Sequence, residues 1–395
     1  MADADDSVLF NVYRRADVEV VRGEGVRIWD DGGKRYLDFM GGVAVLALGH
    51  CHPALVEALS SQARTLWHAS NLLRTPGARK VARRLVDATF ADAVFFNSSG
   101  SEAVDLAIKL VRRYFNTRGD GPRWRVITME RGYHGRTLAT IAAGGSAKLT
   151  DGFAPLVDGF DRVPFGDLAA VEAAIGPETG AILLEPILGD GGIVAAPPEY
   201  LRGLRQLADR HGLLLILDEV QTGLGRTGRL FAHEDAGIAP DILAMGKGIG
   251  AGYPLAGVLV TRAVADCLAP GSHGGTLAGA PLGMAVADAV LDIVLDDGFL
   301  SSVSAKGDAL AARLKDMVRQ HPAVFAEARG VGLMRGLKCR VDPWLMAGRL
   351  RDAGLLVAPA MDDVIRLVPP LVVSDAEIEE AAAILDRVAA SMASV

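Results

Sequence analysis

Apolar positions along this chain fall into two alternating textures. Short, almost unbroken apolar runs, "AVFF" (93–96), "RVITME" (125–130), "GAILLEPI" (180–187), "LLLILDE" (213–219), "DILAMG" (241–246) and "AGVLVT" (256–261), read as strands. Unbroken rather than alternating apolarity predicts strands covered on both faces, as in a mainly parallel sheet between helices. Amphipathic stretches separate them. In "SEAVDLAIKLVRRYF" (101–115) the apolar Val104, Ala107, Ile108 and Val111 recur at helical spacing. From about residue 285 Ala/Leu-rich helices such as "SAKGDALAARLKDMVRQ" (304–320) take over, followed by one short strand in "GVGLMRGLK" (330–338). The segment "GVRIWDDGGKRYLDF" (25–39), turning at Gly32-Gly33, is expected to complete that smaller unit. The pattern predicts an α/β chain with a large domain over 51–285 and a small α+β domain over 286–395, joined by an N-terminal segment, 1–50.

Composition narrows the class. Of 395 residues half are hydrophobic and 23% charged, which suits a compact chain with a large core. A net charge of −7 without a Lys/Arg block argues against a nucleic-acid surface. Cys51, Cys267 and Cys339 are isolated and match no zinc spacing, pointing to a reducing compartment. The start, "MADADDSVLF", lacks the order of a secretory signal, and no apolar run reaches the length of a membrane span. The expectation is a soluble, cytoplasmic protein with no membrane partner.

Ligands in open α/β sheets bind beyond the carboxyl ends of the strands, so chemistry is sought there. After "DILAMG" comes Lys247, alone among Gly246, Gly248, Gly250 and Gly252. It either snorkels out of a loop or is a desolvated amine, neutral enough to form a Schiff base. "LLLILDE" ends in Asp218 and Glu219, which either cap a turn or meet a protonated ring nitrogen. The spacing to Lys247 leaves room for one more strand, which would bring Asp218 and Lys247 to one sheet edge. After "AVFF", Ser99 and Glu102 fit a capping box, and Gly100 and Ser101 open either an ordinary helix or a phosphate site. "RGYHGRTLAT" (131–140) supplies Tyr133 for ring stacking, His134, and Arg136 as a carboxylate fork or surface arginine. "GLGRTG" (223–228) spells a dinucleotide glycine loop but follows no strand directly and opens no convincing helix. "HCH" (50–52) has no second ligand cluster to make a metal site. Together, cradle, stacking ring, acid, amine and clamp are the parts that pyridoxal phosphate requires.

The same residues resemble the class III aminotransferases of fold type I, and within them the acetylornithine aminotransferase group. The resemblance runs through "YLDFMGGVAVLALGHCHPALVEAL", "NSSGSEAVDLAIKL", "YHGRTLAT", "EPILGDGG", "LDEVQTGLGRTG", "MGKGIGAGYPL", "GSHGGTLAGAPL" and "RLVPPL". It implies that Lys247 carries pyridoxal 5'-phosphate and moves the proton, while Asp218 keeps the pyridine nitrogen protonated. Val220 and Tyr133 would flank the ring, with His134 also in the cofactor site and Gln221 on the ring hydroxyl. Gly100 and Ser101 would hold the phosphate, completed by Thr276 of a neighbouring subunit in a homodimer. Arg136 would grip the α-carboxylate. Arg366 would bind a second carboxylate when released by Asp190, which stands where the family carries glutamate, and Glu185 belongs to the same switch region. The implied reaction moves the terminal amino group of N-acetylornithine or a related ω-amine to 2-oxoglutarate, giving glutamate, within arginine biosynthesis. Leu46, Leu73, Leu188 and Ala280 replace polar residues of the family, and are expected around the pocket and dimer edge, favouring apolar ω-amine donors. Alternatives are a broader diamine or succinylornithine-type enzyme, an aminomutase or decarboxylase, and a catalytically silent binding protein.

Overall fold

A computed structural model describes residues 8–392. Residues 1–7, most of the acidic start, lie outside the described residues. Its centre is a seven-stranded sheet. The strands, in spatial order, are Ala93–Asn97, Ala256–Val260, Ile242–Met245, Leu214–Asp218, Thr179–Leu184, Arg125–Met129 and Phe160–Val163. Ala256–Val260 runs antiparallel to both its neighbours and the remaining pairs are parallel. All six apolar runs read as strands are therefore strands of this sheet. Every residue of Thr179–Leu184, Leu214–Asp218, Ile242–Met245 and Ala256–Val260 is buried, as double-sided cover requires.

The helix Gly100–Arg118 covers one face, burying Val104, Ala107, Ile108 and Val111 against the sheet. Each such Val or Ile contributes about 1.5–3 kcal/mol relative to exposure. Ser99 accepts from the Glu102 N–H and Glu102 accepts from the Ser98 and Ser99 N–H groups, so the predicted capping box is formed. Helices Leu168–Ala174 and Pro198–His211 cover the other face with Val171, Leu201, Leu204 and Leu207.

Two further sheets flank this core. Val20–Glu24, Arg27–Asp30 and Arg35–Asp38 form an antiparallel meander turning at Gly32-Gly33, extended by Leu355–Leu356 in parallel with Leu37 and Asp38. The other contains Phe325–Val331, Met334–Cys339, Val364–Leu367 and Ala358–Ala360, all antiparallel. One short strand was expected over 330–338. Instead the chain makes a hairpin there, because Gly330 and Gly332 adopt positive φ (109° and 55°) and reverse its direction inside the apolar run. Helices Phe299–Gln320 and Asp375–Met392 pack beside this sheet. No helix among the described residues is long and apolar enough to cross a membrane.

Candidate active site

Because Ala93–Asn97, Arg125–Met129, Thr179–Leu184, Leu214–Asp218 and Ile242–Met245 all point the same way, their carboxyl ends share one edge. The residues that leave those ends are Gly100, Tyr133, Glu185, Asp218 and Lys247. They meet around a cavity of about 180 Å³, also lined by Ser101, His134, Asp190, Val220 and Gln221. Asp218 pairs in register with Ala244, three residues before Lys247, so the expected convergence of acid and amine is present.

Lys247 begins a single 3₁₀ turn at φ 44°, a left-handed conformation that a side-chain-bearing residue adopts at a cost of about 1–2 kcal/mol. Its amine has no hydrogen-bond partner among the described residues. Burial pushes its pKa down to about 8, against the opposing pull of Asp190, with Arg366 adding to the depression. Asp218 is buried and makes two contacts: Oδ1 accepts the Val220 N–H at 3.1 Å and Oδ2 lies 2.8 Å from His134 Nδ1. Burial works to lower the His134 pKa, but the Asp218 hydrogen bond and charge outweigh it and raise it. Glu185 accepts the Tyr133 and Gly189 N–H groups at 2.9 and 3.1 Å, which sets the entry to the Tyr133 loop. Burial, reinforced by Asp218, pushes its carboxyl up to about 7.

The anion cradle sits at the start of Gly100–Arg118. A Cβ on Gly100 would lie 2.7 Å from Val220 Cγ1, so only glycine lets the helix start approach there. With Glu102 occupied by Ser98 and Ser99, the Gly100 and Ser101 N–H groups keep no partner among the described residues and carry the positive end of the helix dipole. Ser101 Oγ accepts the Arg136 N–H at 3.2 Å.

An adjoining cavity of about 250 Å³ shares Tyr133 and Asp190 and is lined by Arg136 and Arg366. Arg136 is exposed and stacks over the Tyr133 ring at 5.7 Å, with no carboxylate partner among the described residues. Arg366 is 6% exposed, and its Nη1 donates to Asp190 Oδ1 at 2.5 Å. Thr276 stands apart, exposed and lining a different cavity with Lys109 and His273. Sequence reasoning missed Arg131, Lys148, Trp344 and Met361 on the wall of the outer cavity. Trp344 and Met361 come from helix Pro343–Asp352 and the loop after Ala358–Ala360, where nothing local in the sequence points at a ligand. Leu46, Leu73, Leu188 and Ala280 line neither cavity. Leu188 is buried beside Gly191, Leu46 packs beside Gly252, Leu73 is exposed, and Ala280 caps a helix. "GLGRTG" opens no helix, and His50 of "HCH" is bonded to Asp38 instead of facing His52.

Buried Gln221 Oε1 and His134 Nε2 lack partners, and a desolvated amine faces a buried acid across a glycine-lined anion cradle. That donor set fits pyridoxal phosphate. The fold and site define a pyridoxal-phosphate-dependent transferase of fold type I. More narrowly, the chain belongs to the class-III aminotransferases, whose family model matches residues 11–389. Acetylornithine aminotransferases from Mesorhizobium japonicum and Brucella melitensis are 54% and 53% identical to it, over 95% and 94% of this chain and 94% and 93% of theirs. Among solved structures, N-acetylornithine aminotransferase from Stenotrophomonas maltophilia superposes with a TM-score of 0.84 at 34% identity, covering 96% of this chain and 97% of that one. Ornithine aminotransferase from Toxoplasma gondii gives 0.95 at 31%, covering 98% and 94%. The chain is a pyridoxal-phosphate-dependent aminotransferase.

Proposed function

We propose that this aminotransferase moves the terminal amino group of N-acetylornithine to 2-oxoglutarate, giving a semialdehyde and glutamate, and works as a cytoplasmic homodimer. The observation that carries the reading is a pair of arginines in one cavity, one free (Arg136) and one held by an acid (Arg366 by Asp190). A donor with one free carboxylate needs only Arg136. A dicarboxylic acceptor needs both, and gains the second when Asp190 swings away. The relatives named for acetylornithine support the same donor. The expected division near residues 50 and 285 would place Arg366 and its strand in a small domain facing the cofactor edge of the large one.

Bound pyridoxal phosphate supplies an aldehyde carbon and a ring that accepts electrons. Lys247 Nζ, its pKa brought down to about 8 by burial, is deprotonated often enough near neutral pH that it would serve as the nucleophile toward that aldehyde. The same nitrogen would be the base that takes up and returns the proton at the reacting substrate carbon. Asp218, itself held by His134, keeps a positive charge on the ring nitrogen. Val220 and Tyr133 would confine the ring, and Gln221 Oε1, buried without a partner, would offer an acceptor to its hydroxyl. The Gly100 and Ser101 amides would hold the phosphate, joined by Thr276 of a second copy in the proposed homodimer. Arg136 fixes the carboxylate remote from the reacting carbon, which donor and acceptor have in common, and leaves the second carboxylate of the acceptor to Arg366.

The test is a donor panel with 2-oxoglutarate as acceptor: N-acetylornithine, ornithine, a succinylated ornithine and an aliphatic ω-amine. Highest kcat/KM for N-acetylornithine supports the reading. An equal or better aliphatic amine would replace it with a broad ω-amine aminotransferase.

A further inference from the structure

The "GLGRTG" segment belongs to an excursion between the strand Leu214–Asp218 and the short helix Ala232–Ala236. The arginine of that segment, Arg226, is 2% exposed and has no carboxylate within ion-pair distance among the described residues. Burial pushes its pKa down to about 9. A buried charge without a counter-ion is costly unless its hydrogens are fully used.

The recorded donations, both from Nη1, go to two carbonyls. Arg226 Nη1 donates to Leu333 O at 3.1 Å and to Pro369 O at 2.5 Å, and the Arg226 carbonyl accepts the Leu333 N–H at 3.0 Å. Leu333 immediately precedes the strand Met334–Cys339, and Pro369 follows Val364–Leu367 by two residues. The two strands are antiparallel partners, with Gly336 opposite Arg366 and Arg335 opposite Leu367. One guanidinium nitrogen thus bridges the open end of the ladder that carries Arg366. The loops also touch through their backbones, since a Cβ on Gly332 would lie 2.5 Å from the Thr227 carbonyl carbon.

The root of the excursion is equally fixed. Glu219, next to Asp218 and fully buried, accepts from Thr222 Oγ1 (2.8 Å), the Ala232 N–H (2.6 Å) and the His233 N–H (3.0 Å), and lies 2.8 Å from His233 Nδ1. A stiff, hydrogen-bonded connection therefore runs from the acid of the cofactor edge to the arginine of the acceptor end.

We propose that Arg226 is a positioning residue for acceptor recognition: it holds the Met334–Cys339/Val364–Leu367 ladder so that Arg366 meets the second carboxylate of a dicarboxylic acceptor at a fixed depth. It lines neither cavity and touches no reacting atom. The inference rests on the reading of Arg366 given above.

The test is a double-mutant cycle in the holoenzyme, with Arg226→Gln made alone and in an Arg366→Ala background. Arg226→Gln should raise KM for 2-oxoglutarate roughly tenfold, while kcat and the single-turnover rate of the N-acetylornithine half-reaction stay within about twofold. In the Arg366→Ala background it should add no further loss, because the arginine it places is gone. Arg226→Lys, which keeps a cation and one reach, should recover part of the KM, and the same cycle run with it decides the matter if Arg226→Gln does not fold. Equal slowing of both half-reactions, or losses that multiply in the Arg366→Ala background, overturn the positioning role. Should Arg366→Ala alone leave KM for 2-oxoglutarate unchanged, the role of Arg366 fails first and this inference with it.

Discussion

Replacing Asp190 by asparagine removes the charge that masks Arg366 while keeping the side chain's shape. The pair is a single charge-assisted hydrogen bond, Nη1 to Oδ1, between a guanidinium whose side chain is 7% exposed and a carboxylate that is 39% exposed. Such bonds contribute about 1.5–3 kcal/mol net, and the water around Asp190 puts this one near the lower end. A dicarboxylate must break it before binding, so its removal should lower KM for 2-oxoglutarate by roughly tenfold, about 1.4 kcal/mol. The same change leaves a buried guanidinium, whose Nε already lacks a partner, without its counter-charge. The free holoenzyme should therefore lose about 1–2 kcal/mol of stability, and 2-oxoglutarate should restore more Tm to the variant than to wild type. Glutamate should also become a stronger competitor of N-acetylornithine. Steady-state kinetics with the acceptor varied, together with thermal unfolding with and without 2-oxoglutarate, read all three. A KM for 2-oxoglutarate that stays the same or rises in Asp190→Asn would refute the masking argument.

Other substitutions probe the remaining parts. Lys247→Ala should leave a folded protein that takes up cofactor without covalent attachment and turns over negligibly, as followed by absorbance and by reduction with borohydride. In wild-type apoenzyme the folded pKa of Lys247 lies near 8, below the ordinary 10.5. Cofactor capture should accordingly accelerate from pH 7 and level off above about 8. Between those two values the unfolded chain holds the extra proton, so wild type should gain stability relative to Lys247→Met as pH rises from about 8 to 10.5, and denaturant midpoints across that window check the sign. Arg136→Ala should cost about 1.5–3 kcal/mol in kcat/KM for 2-oxoglutarate, and unchanged kinetics would take Arg136 out of the site. Gly100→Ala puts a methyl 2.7 Å from Val220 Cγ1 and should weaken cofactor affinity at least tenfold with little change in helix content, measured by dialysis and circular dichroism.

Local pattern alone determined most of the frame. Strands buried on both faces must be written in continuous apolar residues, so six of the seven central strands could be read directly, as could the capped helix after Ala93–Asn97, while the half-exposed edge strand Phe160–Val163 could not. The amine, the acids, the glycine approach and the arginine fork were legible too, because each is a costly residue type at a strand end. Tertiary structure decided how they are used. Asp218 and Glu219 are adjacent acids at the end of one strand, and nothing local says which one faces the cavity. Only the packing of the 219–234 excursion turns Glu219 onto Thr222, Ala232 and His233 and leaves Asp218 to His134 and the open edge. Leu188 looked like a pocket residue and is buried without lining either cavity, while Trp344 and Met361 reach the pocket from the far end of the chain. Arg226 sits in a glycine segment whose sequence argues against a nucleotide loop and names no other use, and its meaning comes from two carbonyls more than a hundred residues away. Periodicity records which side of an element is dry; it holds no information about which distant element arrives to make it so.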